Sequence, residues 1–256
     1  MQQQSTILIG LTLAACGLAH AESNEPQISI GGVIAVAPEV ANDGDISRSR
    51  LVDNGTKLHI KGEHEIGRNL HFNWYVDSRI QVDEGGNGLA SDNSWVEIAS
   101  EWASLRLGRE DTPYKTSVDD FDPFVDTTAE FKALLGSYHS ASAEFSGLLN
   151  NSVAIHSANI NGFEFALASG STENRSNNDR PRLISTSLAY KANDIVAVTA
   201  YEQHRDSAGP EDNNPAPGDK NWAARVGLGY NLGPLFVGAV AERTSFRSSG
   251  SDAQRR

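Results

Sequence analysis

Leu70-His71-Phe72-Asn73-Trp74-Tyr75-Val76-Asp77 sets Leu70, Phe72, Trp74 and Val76 on one side of an extended chain and His71, Asn73, Tyr75 and Asp77 on the other, with Arg79 continuing the second side. Successive side chains of an extended backbone point in opposite directions, so this period of two marks a β-strand with unlike faces. The alternation recurs on either side of the stretch. Leu58 and Ile60 alternate with Lys57, His59, Lys61 and Glu63. Phe163, Phe165 and Leu167 alternate with Glu164, Ala166 and Ala168, and Trp222, Ala224, Val226, Leu228 and Tyr230 with Ala223, Arg225, Gly227 and Gly229. Eleven strands are predicted, near 27–37, 56–65, 69–82, 93–99, 103–109, 151–158, 162–170, 182–191, 195–205, 221–231 and 234–246. A helix competes only within 127–136.

The connections sort themselves by length. Tight turns at 66–68, 100–102, 159–161, 192–194 and 232–233 alternate with longer polar segments at 38–55, 83–92, 110–150, 171–181 and 206–220. Asn159-Ile160-Asn161-Gly162 and Lys191-Ala192-Asn193-Asp194 carry ordinary turn chemistry. A meander with tight turns at one end and long loops at the other is the pattern of a transmembrane β-barrel. A β-sandwich also alternates, but its Greek-key crossings do not sort loops by end.

Composition narrows the field further. Hydrophobic residues make up 39% of the chain, its mean hydropathy is −0.39, and no apolar run reaches the roughly 18 residues of a helical membrane span. A helical membrane protein is excluded, whereas a barrel interleaves polar and apolar residues and scores as hydrophilic. The formal charge of −12 argues against a nucleic-acid partner.

Residues 1–21 read as a cleaved export signal. Ile7 to Leu18 is apolar, and Ala19-His20-Ala21 is a small-x-small cleavage site. Met1-Gln2-Gln3-Gln4 lacks the usual Lys or Arg, which leaves the start codon open. Leu13-Ala14-Ala15-Cys16 offers the rival reading of a lipobox with Cys16 lipidated; the Ala-x-Ala site downstream favours cleavage after Ala21. Residues 22–256 then form one β domain without cysteine, so no disulfide contributes to it.

Four stretches resemble the general-diffusion porins of Gram-negative bacteria. Thr56-Lys57-Leu58-His59-Ile60-Lys61-Gly62-Glu63-His64-Glu65-Ile66-Gly67 is similar to the family's second strand and first turn. Ala103-Ser104-Leu105-Arg106-Leu107-Gly108-Arg109 is similar to its fifth strand, and Asn151-Ser152-Val153-Ala154-Ile155-His156-Ser157 to the strand after its third loop. The connection 110–150, with Asp122-Pro123-Phe124 inside it, falls where the family's pore-constricting loop sits. Two arginines common in the family are replaced, by Leu148 and near Trp95, and the chain ends in Ala253-Gln254-Arg255-Arg256 without a terminal aromatic strand. The resemblance implies an all-β, antiparallel transmembrane barrel of 16 strands and a homotrimer in outer-membrane lipid. It implies passage of small hydrophilic solutes and ions. Eleven strands is an odd number and short of 16, so the expected object is the N-terminal part of such a barrel, an open sheet or gapped barrel.

In that setting Lys57, Lys61, Arg79 and Arg106 are the expected basic pore wall, because a charge on the lipid side costs about 2–4 kcal/mol at the midplane. Trp74, Trp222 and Tyr230 belong to the outward face. Between Glu110 and Glu130 stand seven acidic residues against Lys115 alone. Asp119, Asp120, Asp122, Asp126 and Glu130 are the expected constriction carboxylates, facing the basic wall across the bore and giving a weak cation preference. The plain alternative is a solvated acidic loop.

Enzyme signatures are not found. The histidines His59, His64, His71, His139, His156 and His204 are scattered, without H-E-x-x-H spacing, and no G-x-S-x-G elbow occurs. Gly227-Leu228-Gly229 lies inside a strand pattern. No cofactor, metal or catalytic residue is expected. The competing function is a secreted or lipid-anchored β-sandwich that binds glycans or surfaces.

Overall fold

The computed structural model describes residues 27–42, 47–82, 85–86, 88–124, 138–140, 143–170, 182–207, 215–247 and 254–255. The export signal, Cys16, and the expected turn of helix at 127–136 lie outside them. The strands are β1 (Gln27–Val33), β2 (Val36–Asn42), β3 (Ser47–Asp53), β4 (Lys57–Gly67), β5 (Leu70–Arg79), β6 (Ser94–Ser100), β7 (Ala103–Asp111), β8 (Tyr138–Ser140), β9 (Ala143–Glu144), β10 (Leu148–Ser157), β11 (Phe163–Gly170), β12 (Arg182–Ala192), β13 (Ile195–Ser207), β14 (Pro215–Leu232), β15 (Leu235–Phe246) and β16 (Gln254–Arg255). One helical turn, α1 (Pro113–Thr116), and a 3-10 turn (Asp119–Phe121) follow β7.

Twelve strands form one antiparallel sheet in the order β1-β4-β5-β6-β7-β10-β11-β12-β13-β14-β15-β16. Each strand pairs with the next in sequence, apart from the two hairpins β2–β3 and β8–β9, which sit inside long connections as separate small sheets. Among the described residues β1 and β16 do not pair, so the sheet stays open. All eleven expected strands are present, and the sandwich reading falls because the described strands form one meander with no Greek-key crossing among them. Two segments read as loop are partly folded. Val36–Asn42 and Ser47–Asp53 pair as a hairpin that takes the end of the expected strand 27–37 and most of 38–55, where Pro38 and the charged residues masked the strand pattern.

The tight turns are made by residues that tolerate a left-handed backbone. Asn161 and Gly162 have φ of 53° and 91°, and Asn193 and Asp194 have 52° and 66°. Two successive positive φ values match the twist of a two-residue hairpin, and short polar side chains accept them most readily. These turns fix the register, and the register fixes which side chains share a face.

The two faces differ sharply. On β14 Asn221, Ala223 and Arg225 are buried while Val226, Leu228 and Tyr230 are 56%, 64% and 46% exposed. Val153, Ile155, Leu105 and Leu107 continue this exposed apolar surface on β10 and β7. Trp74 and Trp222 lie on it as expected, Trp74 against Gly62. The core sits on the other, inner face, between the sheet and the segment after β7. Tyr114, Phe145, Ala200 and Ala223 form one cluster there, and Val118, Val196 and Val198 another.

Candidate functional site

The segment that follows β7 turns onto the inner face and is held there at four points. Thr112 caps α1 by accepting from the Lys115 N–H at 3.2 Å, Pro113 occupies the first turn, and Lys115 Nζ reaches Asp111 at 2.6 Å. This compact turn points Tyr114 into the wall, where it is fully buried. Its hydroxyl donates to Glu242 Oε2 at 2.7 Å, and its backbone N–H donates to Ser185 Oγ at 2.9 Å. Arg225 lies over the Tyr114 ring, 3.7 Å from its centroid. The guanidinium donates to Glu242 Oε2 at 2.6 and 3.0 Å, to Ser146 Oγ at 2.9 Å and to the Tyr114 carbonyl at 3.3 Å. Both ends of the inserted segment thus converge on one buried ion pair.

The second point is a seat of glycines. Phe121 packs over Gly227, Gly229 and Gly238 and meets Phe236 edge-on, ring centroids 5.6 Å apart. A Cβ at Gly227 or Gly238 would come within 2.9 Å of the Phe121 ring, so these strand glycines make room for the loop. The third point is Asp120, bonded to Lys191 Nζ at 2.6 Å, with Glu164 at 4.0 Å from the same nitrogen. The fourth is Phe145, whose ring stacks 4.7 Å from that of His204. His204 and Glu202 are wholly buried and bonded to each other at 2.8 Å.

The opposite stretch of inner wall is a chain of charges and rings. Lys57 and Arg79 meet on the buried Asp92, at 3.4 and 2.9 Å. Hydrogen bonds and the charges of these two cations outweigh the burial of Asp92 and hold its carboxyl down at about 2. Arg106 bonds Glu97 at 2.8 Å and Glu110 at 3.2 Å, and His156 Nε2 lies 3.0 Å from Glu110. The Arg106 guanidinium covers Trp95 at 3.8 Å, and Trp95 stacks on Tyr75. Trp95 therefore fills its place with a ring that shields Arg106.

The expected site residues are distributed as follows. Lys57, Lys61, Arg79 and Arg106 all lie on inner-face positions of β4, β5 and β7. Lys61 is exposed, and the other three take acid partners from their own wall. Asp120 pairs with Lys191 of β12 instead of facing them. Asp122 accepts from the Phe124 N–H at 2.8 Å, closing its own turn. Asp119 opens into a cavity of about 410 Å³ between the inserted segment and β10–β12, lined also by His156, Glu164 and Lys191. Although Asp119 is an exposed residue, partial loss of water around its carboxyl, with repulsion from Asp111 and Asp120, pushes it up to about 6. Asp126 and Glu130 lie outside the described residues. Tyr114, Glu242 and Lys191 were not singled out by sequence, and Arg225 was read only as one more charge on the lumen side. Glycines at 227 and 229, two apart on one strand, were the one signal that backbone or a bulky group approaches there.

The chain matches the model of a family described as Gram-negative porin, over residues 5–255. It belongs to the Gram-negative porin family. A curated relative, the major outer membrane protein P.IB of Neisseria meningitidis serogroup A, is 24% identical over 284 residues, covering 97% of this chain and 84% of that protein. Another P.IB, from serogroup B, is 28% identical over 154 residues, covering 55% of this porin and 46% of the relative. Among solved structures, the anion-selective porin from Comamonas acidovorans superimposes with a TM-score of 0.76 at 19% identity, covering 90% of this chain and 71% of that one. OmpT of Vibrio cholerae, in a trimer form, gives 0.64 at 13%, covering 89% and 68%. These likenesses show the fold. The porin is an outer-membrane protein, and its family comprises channels, not enzymes.

Proposed function

We propose that this porin provides a water-filled passage for small hydrophilic solutes and ions, narrowed by the segment 110–150 within the domain 22–256, after an export signal is removed behind Ala21. One observation carries the reading: the segment after β7 lies on the inner face, pinned by Tyr114, Arg225 and Glu242, while the opposite face is an exposed apolar band. A segment so held narrows a bore without blocking it.

The constriction carboxylates are Asp119, Asp120 and Asp122, with Asp126 and Glu130 further along the same segment. The basic wall is Lys57, Lys61, Arg79 and Arg106. Because Lys57, Arg79 and Arg106 are matched by Asp92, Glu97 and Glu110, the wall's positive field is largely cancelled, and the acid surplus of the inserted segment sets the sign. The passage therefore prefers cations weakly. A homotrimer in outer-membrane lipid is the assembly that fits the family.

A watertight wall needs both sheet edges paired, so conductance is measured on protein taken from outer membranes. In planar bilayers under a salt gradient, the reversal potential is expected on the cation side and moves toward zero in D119N/D120N. A reversal potential on the anion side, unmoved by that variant, overturns the selectivity. A lack of solute flux in proteoliposomes overturns the channel.

A further inference from the structure

Between the Arg225–Glu242 pair and the tight turn at 232–233, the inner positions of β14 and β15 are Gly227, Gly229, Asn231, Phe236, Gly238 and Val240. Asn231 carries the one polar side chain among them. Val196 of β13 lies opposite Gly229 on the same face. The inner wall of a water-filled barrel is ordinarily polar, so this apolar patch is out of keeping with its place. Phe121 covers only part of it. A cavity of about 550 Å³ stays open beside the ring, lined by Phe121, Phe236, Val196, Val240, Asp120 and Asp122. The two phenyl rings meet there with centroids 5.6 Å apart and planes 70° apart, the corner of an aromatic enclosure.

The segment beside this corner is acidic and short of counter-charge. Lys191 meets Asp120 at 2.6 Å and Glu164 at 4.0 Å, and Lys115 is taken by Asp111 at 2.6 Å. Asp119 and Asp122 stand in the same stretch, so five acids face two bases among the described residues. Asp120 gives Lys191 its Oδ2, and its Oδ1 has no partner among the described residues. Apolar walls concentrate the resulting negative field in the cavity.

An apolar recess under a negative field selects a narrow class of solute. A metal cation or a primary ammonium holds its water tightly and loses it at a cost there. A neutral apolar solute gains nothing from the carboxylates. A quaternary ammonium satisfies both conditions, because its methyl groups spread one positive charge over an apolar surface. Phenyl faces attract such a cation, and two rings at a wide angle can flank it on two sides.

We propose that Phe121, Phe236, Asp120 and Asp122 form a subsite for a trimethylammonium-bearing solute on the tight-turn side of the inserted segment. The inference rests on the porin reading and names one class among the small hydrophilic solutes and ions of that reading.

The test follows potassium current through single channels of protein taken from outer membranes, in planar bilayers, with choline added to one side. The current is expected to fall saturably with choline. 3,3-Dimethyl-1-butanol, which has the shape without the charge, and ethanolamine, which has the charge without the methyl groups, are each expected to need about tenfold more to do the same. Phe236→Leu is expected to raise the half-blocking concentration of choline about fivefold, as is Asp120→Asn/Asp122→Asn, whereas Phe236→Tyr keeps a ring face and holds it within about twofold. Equal block by ethanolamine, which a merely acidic segment would give, overturns the subsite, and so does equal block by the neutral alcohol. Equal weakening in Phe236→Tyr and Phe236→Leu overturns it too, since packing alone then accounts for the loss. The two readings fail separately: no current in the absence of choline overturns the porin reading and the subsite with it, whereas a current that choline leaves unreduced overturns the subsite alone.

Discussion

The Tyr114 hydroxyl donates to Glu242 Oε2 at 2.7 Å across a separation of 128 residues, and the Arg225 guanidinium binds the same oxygen at 2.6 Å. Glu242 Oε1 is buried and makes no hydrogen bond among the described residues. Arg225 and Glu242 are 1% and 2% exposed, so each neutralises a charge that would otherwise be stranded. Removing one partner of such a pair costs about 3–5 kcal/mol, whereas replacing both with apolar groups is often close to neutral. Glu242→Leu is therefore expected to lower the unfolding free energy of the folded sheet more than Arg225→Met/Glu242→Leu together. Denaturant unfolding of the single and double variants checks the order. Tyr114→Phe, which removes one hydrogen bond, is expected to cost about 1–3 kcal/mol.

The glycine seat makes a separate prediction. Gly238→Val places branched carbon where the Phe121 ring lies, and the loop is the softer partner. The ring is expected to leave its seat while the sheet persists. Limited proteolysis at Lys115 and Phe121 should then become fast, and solute flux through proteoliposomes should rise. Phe121→Ala is expected to act in the same direction.

The strand pattern was readable because each strand carries its own evidence: Val226, Leu228 and Tyr230 declare a face without reference to any other segment. The site was not, because its members acquire meaning only once the register is known. Arg225 reads as one more polar alternate until Tyr114 and Ser146 arrive on it from the connection 110–150. The expected basic wall could be named residue by residue from the sequence, but its acid partners could not. Asp92 and Glu97, which match Lys57, Arg79 and Arg106, come from neighbouring strands and a turn. Sequence separation hides such cancellation.

The outer face offers a test by charge insertion. Val226 is 56% exposed in mid-strand, and Arg there would sit in hydrocarbon. Val226→Arg is expected to destabilise the membrane-inserted form by about 2–4 kcal/mol, while the same change at an interface position costs about 0–1. Urea titration in phosphatidylcholine vesicles measures the difference, and equal costs would show that the face is not in lipid.

Asp92 links the wall to acid stability. Its folded-state value of about 2 lies below the ordinary 3.8, so its pairing with Lys57 and Arg79 contributes stability that is present above about pH 4 and lost as pH falls toward 2. Asp92→Asn is expected to be destabilised at neutral pH yet to lose little more on acidification over that window. Thermal unfolding as a function of pH reads both effects.

Asp119 works in the opposite sense. Its carboxyl is raised from 3.8 to about 6, so the folded chain favours the neutral acid. The associated stability is present below about pH 4 and is lost as pH rises through 6. Above 6 the ionised group adds negative charge to the cavity that also holds Asp120, Lys191, Glu164 and His156. Cation preference is therefore expected to strengthen between pH 5 and 7 and the loop's seat to weaken slightly, two consequences of one ionisation. Asp119→Asn should flatten the part of both profiles that centres near 6. His156 lines the same cavity, so His156→Gln is the control. A step in reversal potential that survives Asp119→Asn would show that Asp119 does not set it.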